Sequence, residues 1–255
     1  MNRISFCVIT LNGEKHLARV LKSAQGVADE LIVVDCGSTD RTLEIAHEFG
    51  AKVLFREWTN FSEQRNFAVS EAKHEWVFTL DSDEELGDEL RNSLIVWKRQ
   101  QAMFNVYEMP RLTMYMGGWI RHSGWYPNLQ RRLYRRDAAK YSGIVHEKLE
   151  FEGRPGYLKG DLLHYTIEDF AEHEAKAEKY SGLAAQKMFH EGKRSWRAAV
   201  WFAAPWTFLQ SFVIRAGFLD GHRGALIAQM AARSVRMKFQ KLGALVREEQ
   251  QNKTR

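Results

Sequence analysis

Residues 31–49 read LIVVDCGSTDRTLEIAHEF, and this stretch decides the fold. Its first five residues form a short apolar run rich in β-branched side chains, which predicts a buried strand. A turn that contains Gly37 follows, and the last eight residues carry apolar side chains at helical spacing. The same alternation recurs through the first hundred residues, with strand patterns at Ile4–Thr10, Lys52–Phe55 and Trp76–Leu80 and helix patterns at Glu14–Ser23 and Asp88–Gln101. Repeated strand and helix units of this kind predict an α/β protein with a mostly parallel sheet.

The pattern changes after residue 104. From Phe104 to Tyr165, short apolar and basic runs alternate with turn residues, which favours antiparallel strands and functional loops. Thr166 and Asp169 resemble a capping box for a long helix over Glu168–Glu191. The remaining residues read as an appended helical region. We therefore expect two domains, residues 1–192 and residues 193–255.

The composition is that of a folded globular chain. Hydrophobic residues make up 45% and charged residues 27% of the 255 residues, which is enough apolar material for a large core and excludes a disordered chain. Cys7 and Cys36 are the only cysteines, so a disulfide framework or a Cys-rich zinc site is excluded. The first residues show no secretory signal pattern, and we expect a cytoplasmic protein.

The basic charge is concentrated in the C-terminal region. Residues 193–255 contain 12 basic and 3 acidic side chains, whereas residues 1–192 contain 25 and 29. Within the basic region, Ala198–Ile214 is an aromatic-rich run of 17 uncharged residues that contains Pro205. It is shorter than the span of about 20 residues that crosses a bilayer, and an interfacial helix on an anionic membrane surface fits it better.

The C-terminal region has two alternative interpretations. One is a helical subdomain that packs on the core or on a second subunit of a homo-oligomer. The other is nucleic-acid binding, which we do not expect because the aromatic residues lie in an uninterrupted apolar run rather than between cations on an exposed face.

Two carboxylates follow the fourth predicted strand. Asp81-Ser82-Asp83 comes directly after the apolar run, so its side chains should lie at the carboxyl edge of the sheet, where open α/β sheets bind ligands. Two carboxylates and a substrate diphosphate would suit Mg²⁺ or Mn²⁺. An acidic helix N-terminus produces the same triplet, so the motif alone does not decide between the two.

Polar residues also follow the first two strands. Thr10 and Asn12 end the first strand, and Asp35 ends the second strand before the turn. Such a turn offers backbone N–H groups and a carboxylate to a nucleotide, although Thr39 also has an ordinary role in helix capping. Arg65 lies in a neighbouring segment, where it could bind a phosphate or remain solvated.

Five ordered blocks of the sequence resemble one family. They read VITLNGEKHL, ELIVVDCGSTDRTLEIAHEFGAKV, SEQRNFAVSEAKHEWVFTLDSDEEL, GIVHEKL and LLHY, and GFLDGHRGALIAQMA extends the similarity into the C-terminal region. Together they resemble the family 2 glycosyltransferases of the GT-A fold, and within them the bacterial lipopolysaccharide core β-1,4-glucosyltransferase type. The resemblance implies a Rossmann-like nucleotide-diphospho-sugar transferase sheet with an appended, membrane-associating helical region.

The resemblance also implies roles for the residues at the sheet edge. Asp35 is expected to hold the uracil and ribose of a UDP-sugar, with Thr10 and Asn12 in the same pocket. Arg65 is expected to approach the diphosphate. The members of the DxD motif are Asp81, Ser82 and Asp83. Asp83 is expected to bind the metal directly, whereas Cys36 replaces an acidic residue that many relatives have.

Three further residues are assigned through the resemblance. Glu147 is our candidate for the general base that takes a proton from the attacking hydroxyl group. His146 beside it is expected near the acceptor, although an exposed polar pair at a strand end would look the same. His164 resembles the late histidine that completes the metal shell in some GT-A enzymes; a lone strand histidine is also often structural.

An aromatic loop provides candidates for the acceptor site. Trp119, Trp125 and Tyr126 lie in a glycine-containing segment, and aromatic faces stack well on sugar rings. Core or interface packing would use the same residues. Arg131 belongs to a basic strand-like run that could meet phosphate groups or form a solvated strand edge.

The resemblance thus implies an inverting, metal-dependent enzyme. It would move a hexose, glucose from UDP-glucose, to a heptose of the lipopolysaccharide inner core at the inner face of the cytoplasmic membrane. Two alternatives stay open. The acceptor could be a polyprenyl phosphate or another cell-envelope glycan, or the protein could be a noncatalytic scaffold that binds a nucleotide sugar and a membrane.

Overall fold

The computed structural model describes residues 1–143 and 147–254. Its strands are β1 Ile4–Thr10, β2 Glu30–Asp35, β3 Lys52–Phe55, β4 Trp76–Asp81, β5 Glu84–Leu86, β6 Val106–Tyr115, β7 Gly118–Ile120, β8 Asn128–Arg135, β9 Ala139–Ser142, β10 Lys148–Phe151, β11 Gly156–Tyr157 and β12 Leu162–Ile167. Its α-helices are α1 Leu17–Ala24, α2 Thr42–Glu48, α3 Phe61–Ser70, α4 Asp88–Lys98, α5 Phe170–His190, α6 Arg197–Leu209 and α7 Gly221–Thr254. A π-helix over Gln210–Ile214 and a 3₁₀-helix over Gly217–Asp220 connect α6 to α7.

The chain forms two compact units. The first unit contains Met1–Leu112 and Asn128–His164, and the second contains Thr113–Pro127 and Tyr165–Arg255. The last three residues of β6 and of β12 therefore belong to the second unit. These units are defined by contacts within the chain, whereas the boundary expected after residue 192 is a division into functional domains. That boundary stays a prediction.

The sheet of the first unit has a parallel part and an antiparallel part. The strands run in the order β3-β2-β1-β4-β8-β6-β12-β5, and β1 to β4 pair in parallel. The pairs β4–β8, β6–β8 and β5–β12 are antiparallel. Strands joined by short loops pair antiparallel, because a parallel pair needs a long crossover connection. One exception after residue 104 is the two-residue strand β11, which pairs in parallel with β6. The α/β fold class and the predicted antiparallel strands are confirmed.

Both faces of the parallel part are covered by helices. On one face, Phe6 and Val8 of β1 pack with apolar residues of α1 and α4. On the other face, Cys7 and Ile9 pack with residues of α3 such as Ala68. Alternate residues of a strand point to opposite faces, which explains why all of β1 is buried. Polar side chains are therefore left at the strand ends, where the candidate site lies.

The second unit is mainly helical. Helices α5 and α6 pack against α7, and one apolar cluster joins Ala185, Leu242 and Val246. Helix α5 begins at Phe170, because Asp169 accepts a hydrogen bond from the backbone N–H of Glu172, so the capping box predicted from Thr166 is displaced by three residues. Among the described residues, every helix is too short or too polar to cross a membrane.

Candidate active site

The carboxyl ends of three parallel strands meet at one edge of the first unit. Thr10 at the end of β1 lies opposite Asp35 at the end of β2. Ile9 lies opposite Asp81, the last residue of β4. The strand register therefore brings together the predicted nucleotide-binding residues and the DxD motif, as expected for ligand binding at this edge of an open sheet.

The Asp35 carboxylate organises the loop that follows β2. It accepts hydrogen bonds from the backbone N–H groups of Gly37 at 2.7 Å and Ser38 at 2.9 Å, and also from the Ser38 hydroxyl. Asn12 joins this loop to the end of β1, because its side-chain oxygen accepts a hydrogen bond from the N–H of Thr39 at 2.9 Å. Asp35 and Asn12 thus fix the loop, and their contact with uracil or ribose stays a prediction.

Thr10 offers an unsatisfied group at this edge. Its hydroxyl is buried and has no hydrogen-bond partner among residues 1–143 and 147–254. Gly13 lies against it, since a Cβ atom at Gly13 would come within 2.4 Å of the Thr10 oxygen and 3.3 Å of the Ser82 Cβ. The site therefore holds Thr10, Gly13 and Ser82 together, and a buried hydroxyl without a partner is typical of a ligand-binding edge.

Asp81 is bound by two guanidinium groups. Its carboxylate oxygens accept hydrogen bonds from Arg65 Nη2 at 2.5 Å and from Arg132 Nη2 at 2.9 Å. Burial alone would raise the pKa of Asp81, but the adjacent guanidinium groups outweigh burial and hold it well below its usual range. Asp81 is therefore ionised at neutral pH, and both of its oxygens are committed to arginine.

A second carboxylate completes this group of charges. Glu84 on β5 is fully buried and accepts hydrogen bonds from Arg132 at 2.7 Å and Arg111 at 3.0 Å. Its other oxygen accepts a hydrogen bond from the backbone N–H of Asp81 at 3.3 Å. Glu84 thus fixes the position of Asp81 in two ways. It accepts a hydrogen bond from the Asp81 backbone, and it binds Arg132, which binds the Asp81 side chain.

Arg65 connects the DxD motif to Glu147. Its side chain is only 4% exposed, and its Nη1 lies 2.6 Å from Glu147 Oε1. The ring of Tyr141 lies 5.1 Å from the same guanidinium group. Burial alone would lower the pKa of Arg65, but the ion pair with Asp81 outweighs burial and raises the pKa further above its ordinary value. We call Arg65, Asp81, Glu84, Arg111, Arg132 and Glu147 the charged cluster.

The two oxygens of Glu147 differ in their surroundings. Oε1 pairs with Arg65, whereas Oε2 is buried and has no hydrogen-bond partner among the residues that the structure describes. An ionised carboxylate can accept a proton at such an oxygen. The predicted diphosphate contact of Arg65 is not visible, because both of its terminal nitrogens face carboxylates; that contact stays a prediction.

Asp83 differs from Asp81 in two ways. It is partly exposed, and it pairs with a histidine rather than with arginines. Asp83 Oδ2 lies 3.4 Å from His164 Nε2, and the Asp83 side chain is 34% exposed. The Nδ1 atom of His164 is buried without a hydrogen-bond partner among the described residues. Two ligands at right angles on an ion lie about 3 Å apart when each is about 2.1 Å from it.

Asp83 and His164 therefore fit a divalent cation. Within residues 1–143 and 147–254, no three His, Cys, Asp or Glu side chains are grouped as metal ligands. The other positions around the ion would be left to substrate oxygens and water, which Mg²⁺ and Mn²⁺ sites use regularly. The ligand roles of these two residues stay predictions.

The predicted acceptor residues are divided between the units. In the second unit, Trp119 lies against Tyr165 with ring centroids 5.5 Å apart, and Trp125 lies against the buried Tyr115 at 5.6 Å. The guanidinium group of Arg121 lies 5.4 Å from the Tyr126 ring. The side chains of Trp119, Trp125 and Tyr126 are half-buried. Half-burial is compatible both with packing inside the unit and with stacking on a sugar.

Arg131 and His146 are the remaining acceptor candidates. Arg131 belongs to the first unit, where it pairs with Glu108 at 3.4 Å and lies 5.1 Å from the ring of Phe151. Its side chain is 45% exposed. The interpretation of this run as a strand edge is wrong, because β8 lies between β4 and β6 in the sheet. His146 lies outside the described residues.

Glu84 and Arg111 were not predicted as site residues, and Arg132 was predicted only as part of the basic run around Arg131. Arg132 lies at an irregularity in β8, since Leu133 pairs with Tyr107 and Arg131 pairs with the next residue, Glu108. Arg131 is exposed, whereas Arg132 is buried and enters the charged cluster. The basic run in the sequence indicates this strand, but it does not distinguish Arg132 from Arg131, because the irregularity interrupts the alternation of faces. Glu84 gives no such signal, because an acidic residue after a DxD motif reads as part of the same exposed turn.

Comparison with known proteins identifies the family. The model of glycosyl transferase family 2 matches residues 5–146, which is more than half of the chain. An uncharacterized glycosyltransferase of Rickettsia typhi is 32% identical over 88% of this chain and 81% of its own length. A lipopolysaccharide core biosynthesis glycosyltransferase of Rhizobium meliloti, LpsC, is 28% identical over 91% of each chain.

A solved structure with a similar arrangement is glucosyl-3-phosphoglycerate synthase from Mycobacterium tuberculosis in complex with Mn²⁺, UDP and glucosyl-3-phosphoglycerate. It aligns with a TM-score of 0.45 and 17% identity over 72% of this chain and 78% of that chain. Another complex of the same synthase aligns over 46% of this chain and 44% of that chain, with a TM-score of 0.35. The family model and the Rickettsia relative establish that this chain is a glycosyltransferase and belongs to glycosyl transferase family 2.

Proposed function

We propose that this glycosyltransferase transfers a hexose, glucose from UDP-glucose, with inversion to a heptose of the lipopolysaccharide inner core. The similarity to LpsC carries this proposal. It extends over 91% of each chain, so it includes the acceptor-side segments as well as the donor site. A lipid-linked acceptor also suits a peripheral protein at the inner face of the cytoplasmic membrane.

The donor site of the proposal is the carboxyl edge of the first unit. Thr10, Asn12 and Asp35 would hold the nucleoside, as their position at the ends of β1 and β2 supports. Ser82 would lie beside the diphosphate. Asp83 and His164 would hold Mg²⁺ or Mn²⁺, which would neutralise charge on the diphosphate as it leaves.

Glu147 is the proposed general base. The acceptor hydroxyl oxygen forms a bond to the anomeric carbon while the bond from that carbon to the diphosphate oxygen breaks, and the hydroxyl proton moves to Glu147 Oε2. The position of Glu147 beside Arg65, which also binds Asp81, supports this assignment. Arg65 orients the carboxylate through Oε1.

Ligand binding tests the donor site without any transfer. We expect UDP with Mn²⁺ to raise the melting temperature of the purified protein, because binding to the native state adds RT ln(1 + [L]/Kd) to its stability. Asp83→Asn should lose the part of this shift that depends on the metal. Asp137→Asn, which changes an exposed carboxylate paired with Arg135, is the control and should retain it.

A donor and acceptor panel tests the reaction. UDP-glucose and other UDP-hexoses are offered with a deacylated heptose-containing core oligosaccharide or with polyprenyl phosphate. Transfer of glucose to heptose supports the proposal. Transfer only to polyprenyl phosphate would show that the acceptor is the alternative one and not a heptose. UDP binding without transfer to either acceptor would contradict the proposed reaction.

A further inference from the structure

The second unit exposes a continuous row of large apolar side chains, which we call the apolar edge. Its members are between 37% and 74% exposed: Trp201, Phe202, Trp206, Phe208, Leu209, Val213, Ile214, Phe218 and Leu219. Monomeric soluble proteins rarely expose contiguous apolar patches of this kind. The apolar edge therefore requires a partner that the second unit does not supply.

Helical geometry makes the apolar edge one surface. Phe202, Trp206, Leu209 and Val213 follow one another at intervals of three or four residues, so they lie on one face of α6 and the π-helix. The ring of Phe212 lies 5.4 Å from Phe208 and 6.3 Å from Phe218. These ring contacts join the face of α6 to the 3₁₀-helix.

The charge around this surface is basic. Residues 193–247 contain ten Lys or Arg residues and one acidic residue, Asp220, whose carboxylate is buried 2.9 Å from His122. Four of the ten basic residues pair with glutamates outside this range: Lys193, Arg194, Arg233 and Lys241. The other six still exceed the single acidic residue. Arg197 and Arg215 are exposed at the two ends of the apolar run. Exposed aromatic residues flanked by arginine are typical of helices that lie in an anionic lipid interface.

The segment that carries the apolar edge also holds the predicted acceptor loop. Asp220 accepts hydrogen bonds from the backbone N–H groups of Arg121 at 3.2 Å and His122 at 2.9 Å. The N–H of Ser123 donates to the carbonyl of Arg215 at 2.9 Å. Each contact lies within the second unit, and together they tie the loop of residues 116–126 to the end of the apolar edge.

The 3₁₀-helix and the loop are also closely packed. A Cβ atom at Gly217 would lie 2.5 Å from the Ser123 hydroxyl oxygen, and a Cβ atom at Gly124 would lie 2.5 Å from Arg215 Nη1. Arg223 Nε donates to the carbonyl of Met116 at 3.1 Å. A displacement of the apolar edge would therefore move the loop with it.

We infer that the apolar edge inserts into an anionic lipid surface and that the loop of residues 116–126 is thereby held at that surface, facing a lipid-linked acceptor. The role of the loop towards a lipid-linked acceptor rests on the proposed function, whereas insertion of the apolar edge into lipid does not. The charge of the surrounding residues favours lipid over a second copy of the chain, because two copies would bring the same arginines together.

Flotation of the full chain with vesicles tests the insertion. We expect binding to phosphatidylcholine vesicles that contain phosphatidylglycerol, and weaker binding as salt rises. The double variant Phe202→Asp/Val213→Asp should lower the partition coefficient about tenfold or more, because two charges enter the apolar face. Val96→Asp is the matched control, since Val96 is 54% exposed in the first unit and Val213 is 50% exposed.

The arginine contribution is measured in the same assay. Arg197→Gln and Arg215→Gln should each lower binding to the anionic vesicles about fivefold, the effect of about 1 kcal/mol for one basic residue near the surface. Binding to vesicles of phosphatidylcholine alone should change much less. Equal loss on both kinds of vesicle would contradict the anionic part of the inference.

Three results would overturn the insertion. The wild-type chain could fail to float with either vesicle, or the double variant could float as well as the wild type. A dimer that the double variant dissociates, with no vesicle binding, would instead assign the apolar edge to a second copy.

Transfer assays test the loop and keep the two proposals separate. The double variant should lose transfer to a lipid-linked acceptor in vesicles but keep transfer to the deacylated acceptor. Equal loss with both acceptors would contradict the link between the apolar edge and acceptor presentation. Flotation without transfer by the wild type to either acceptor would overturn the proposed function and leave the insertion supported.

Discussion

The charged cluster of the first unit is buried, whereas the apolar edge of the second unit is exposed. In the charged cluster, Arg65 and Arg132 are almost inaccessible, yet each is paired with carboxylates at 2.5 to 2.9 Å. In the apolar edge, Phe202 and Ile214 are mostly exposed. Both regions depart from the usual distribution of side chains, in opposite directions.

The two departures have different consequences for stability. Buried charges are costly unless they are paired, so the charged cluster is held together by its own members and breaks when one is removed. Exposed apolar side chains contribute little to the folded state, and their free energy is gained only when an external partner covers them. The comparison therefore predicts large stability effects in the first region and small ones in the second.

The largest expected effect is that of removing Arg132. Arg132→Met should lower the free energy of unfolding by about 3–5 kcal/mol, because Glu84 stays buried with less compensation. Its neighbour provides the control, since Arg131 is exposed and pairs with Glu108 at 3.4 Å. Arg131→Met should cost about 0–1 kcal/mol. Urea unfolding measures both values.

A second variant keeps this prediction testable if Arg132→Met does not fold. Arg132→Met/Glu84→Gln removes the uncompensated charge and should recover part of the lost stability. Equal stability of Arg132→Met and Arg131→Met would show that the charged cluster does not hold the first unit together.

The pH dependence of stability comes next in size. The pKa of Asp81 is lowered by Arg65 and Arg132 against the opposing effect of burial, so its contribution is fully present above about pH 4, the ordinary range of aspartate. That contribution is lost as the pH falls from there towards the lowered pKa. The urea concentration at the unfolding midpoint of the wild type should therefore decrease as the pH is lowered beneath about 4. The midpoint of Asp81→Asn should decrease less over the same pH range. Parallel curves for the two proteins would contradict this assignment.

Loss of the Asp220 carboxylate should have an intermediate effect. Asp220→Ala leaves the N–H groups of Arg121 and His122 without their acceptor and should cost about 1–3 kcal/mol. If Asp220 positions the loop, the KM for a lipid-linked acceptor should rise while the KM for the donor is unchanged. Kinetics with each substrate varied in turn would reveal this, and an equal change in both KM values would indicate a merely structural role.

The smallest effect is expected at the apolar edge in the absence of lipid. Phe202→Ser should change the free energy of unfolding by no more than about 0.5 kcal/mol, because Phe202 is 74% exposed. The variant should also aggregate less than the wild type in light scattering. A loss above about 2 kcal/mol would mean that the second unit itself covers Phe202.

The parallel part of the fold could be predicted from the sequence. The bounds expected for β1 and β3 agree with the structure. The continuous apolar run of β1 specifies a buried strand well, whereas β3 is a short strand at the end of the sheet with no buried residue. Helix α1 begins at Leu17 rather than at Glu14, since residues 14–16 form a turn. Local sequence thus sets the elements, while their ends depend on turn geometry.

The charged cluster could not be predicted from the sequence. Arg65, Asp81 and Arg132 are far apart in the chain, and they meet because β8 pairs with β4 and α3 packs beneath them. The sequence predicted a phosphate contact for the basic run around Arg131, and it did not separate Arg131 from Arg132. Local periodicity gives no information on which residue of such a run meets a partner across the sheet, because that depends on the register of the pairing.

For Asp83 and Glu147, the sequence and the structure give different and complementary information. The family resemblance assigned their roles, and the structure supplies the surroundings that make those roles testable: His164 beside Asp83, and Arg65 beside Glu147. The aromatic acceptor candidates were predicted from their clustering in one glycine-containing segment of the sequence. Their attachment to the segment of the apolar edge required the structure.

The most direct test of the account is the rate of glucose transfer from UDP-glucose to a heptose acceptor by Glu147→Gln. Glutamine preserves the shape of the side chain but removes the proton acceptor. We predict that the rate falls about 10²–10⁴-fold, as expected for loss of a general base, while UDP and Mn²⁺ still raise the melting temperature. A rate within a few-fold of the wild type would contradict the assignment of Glu147 as the base and the site built around it.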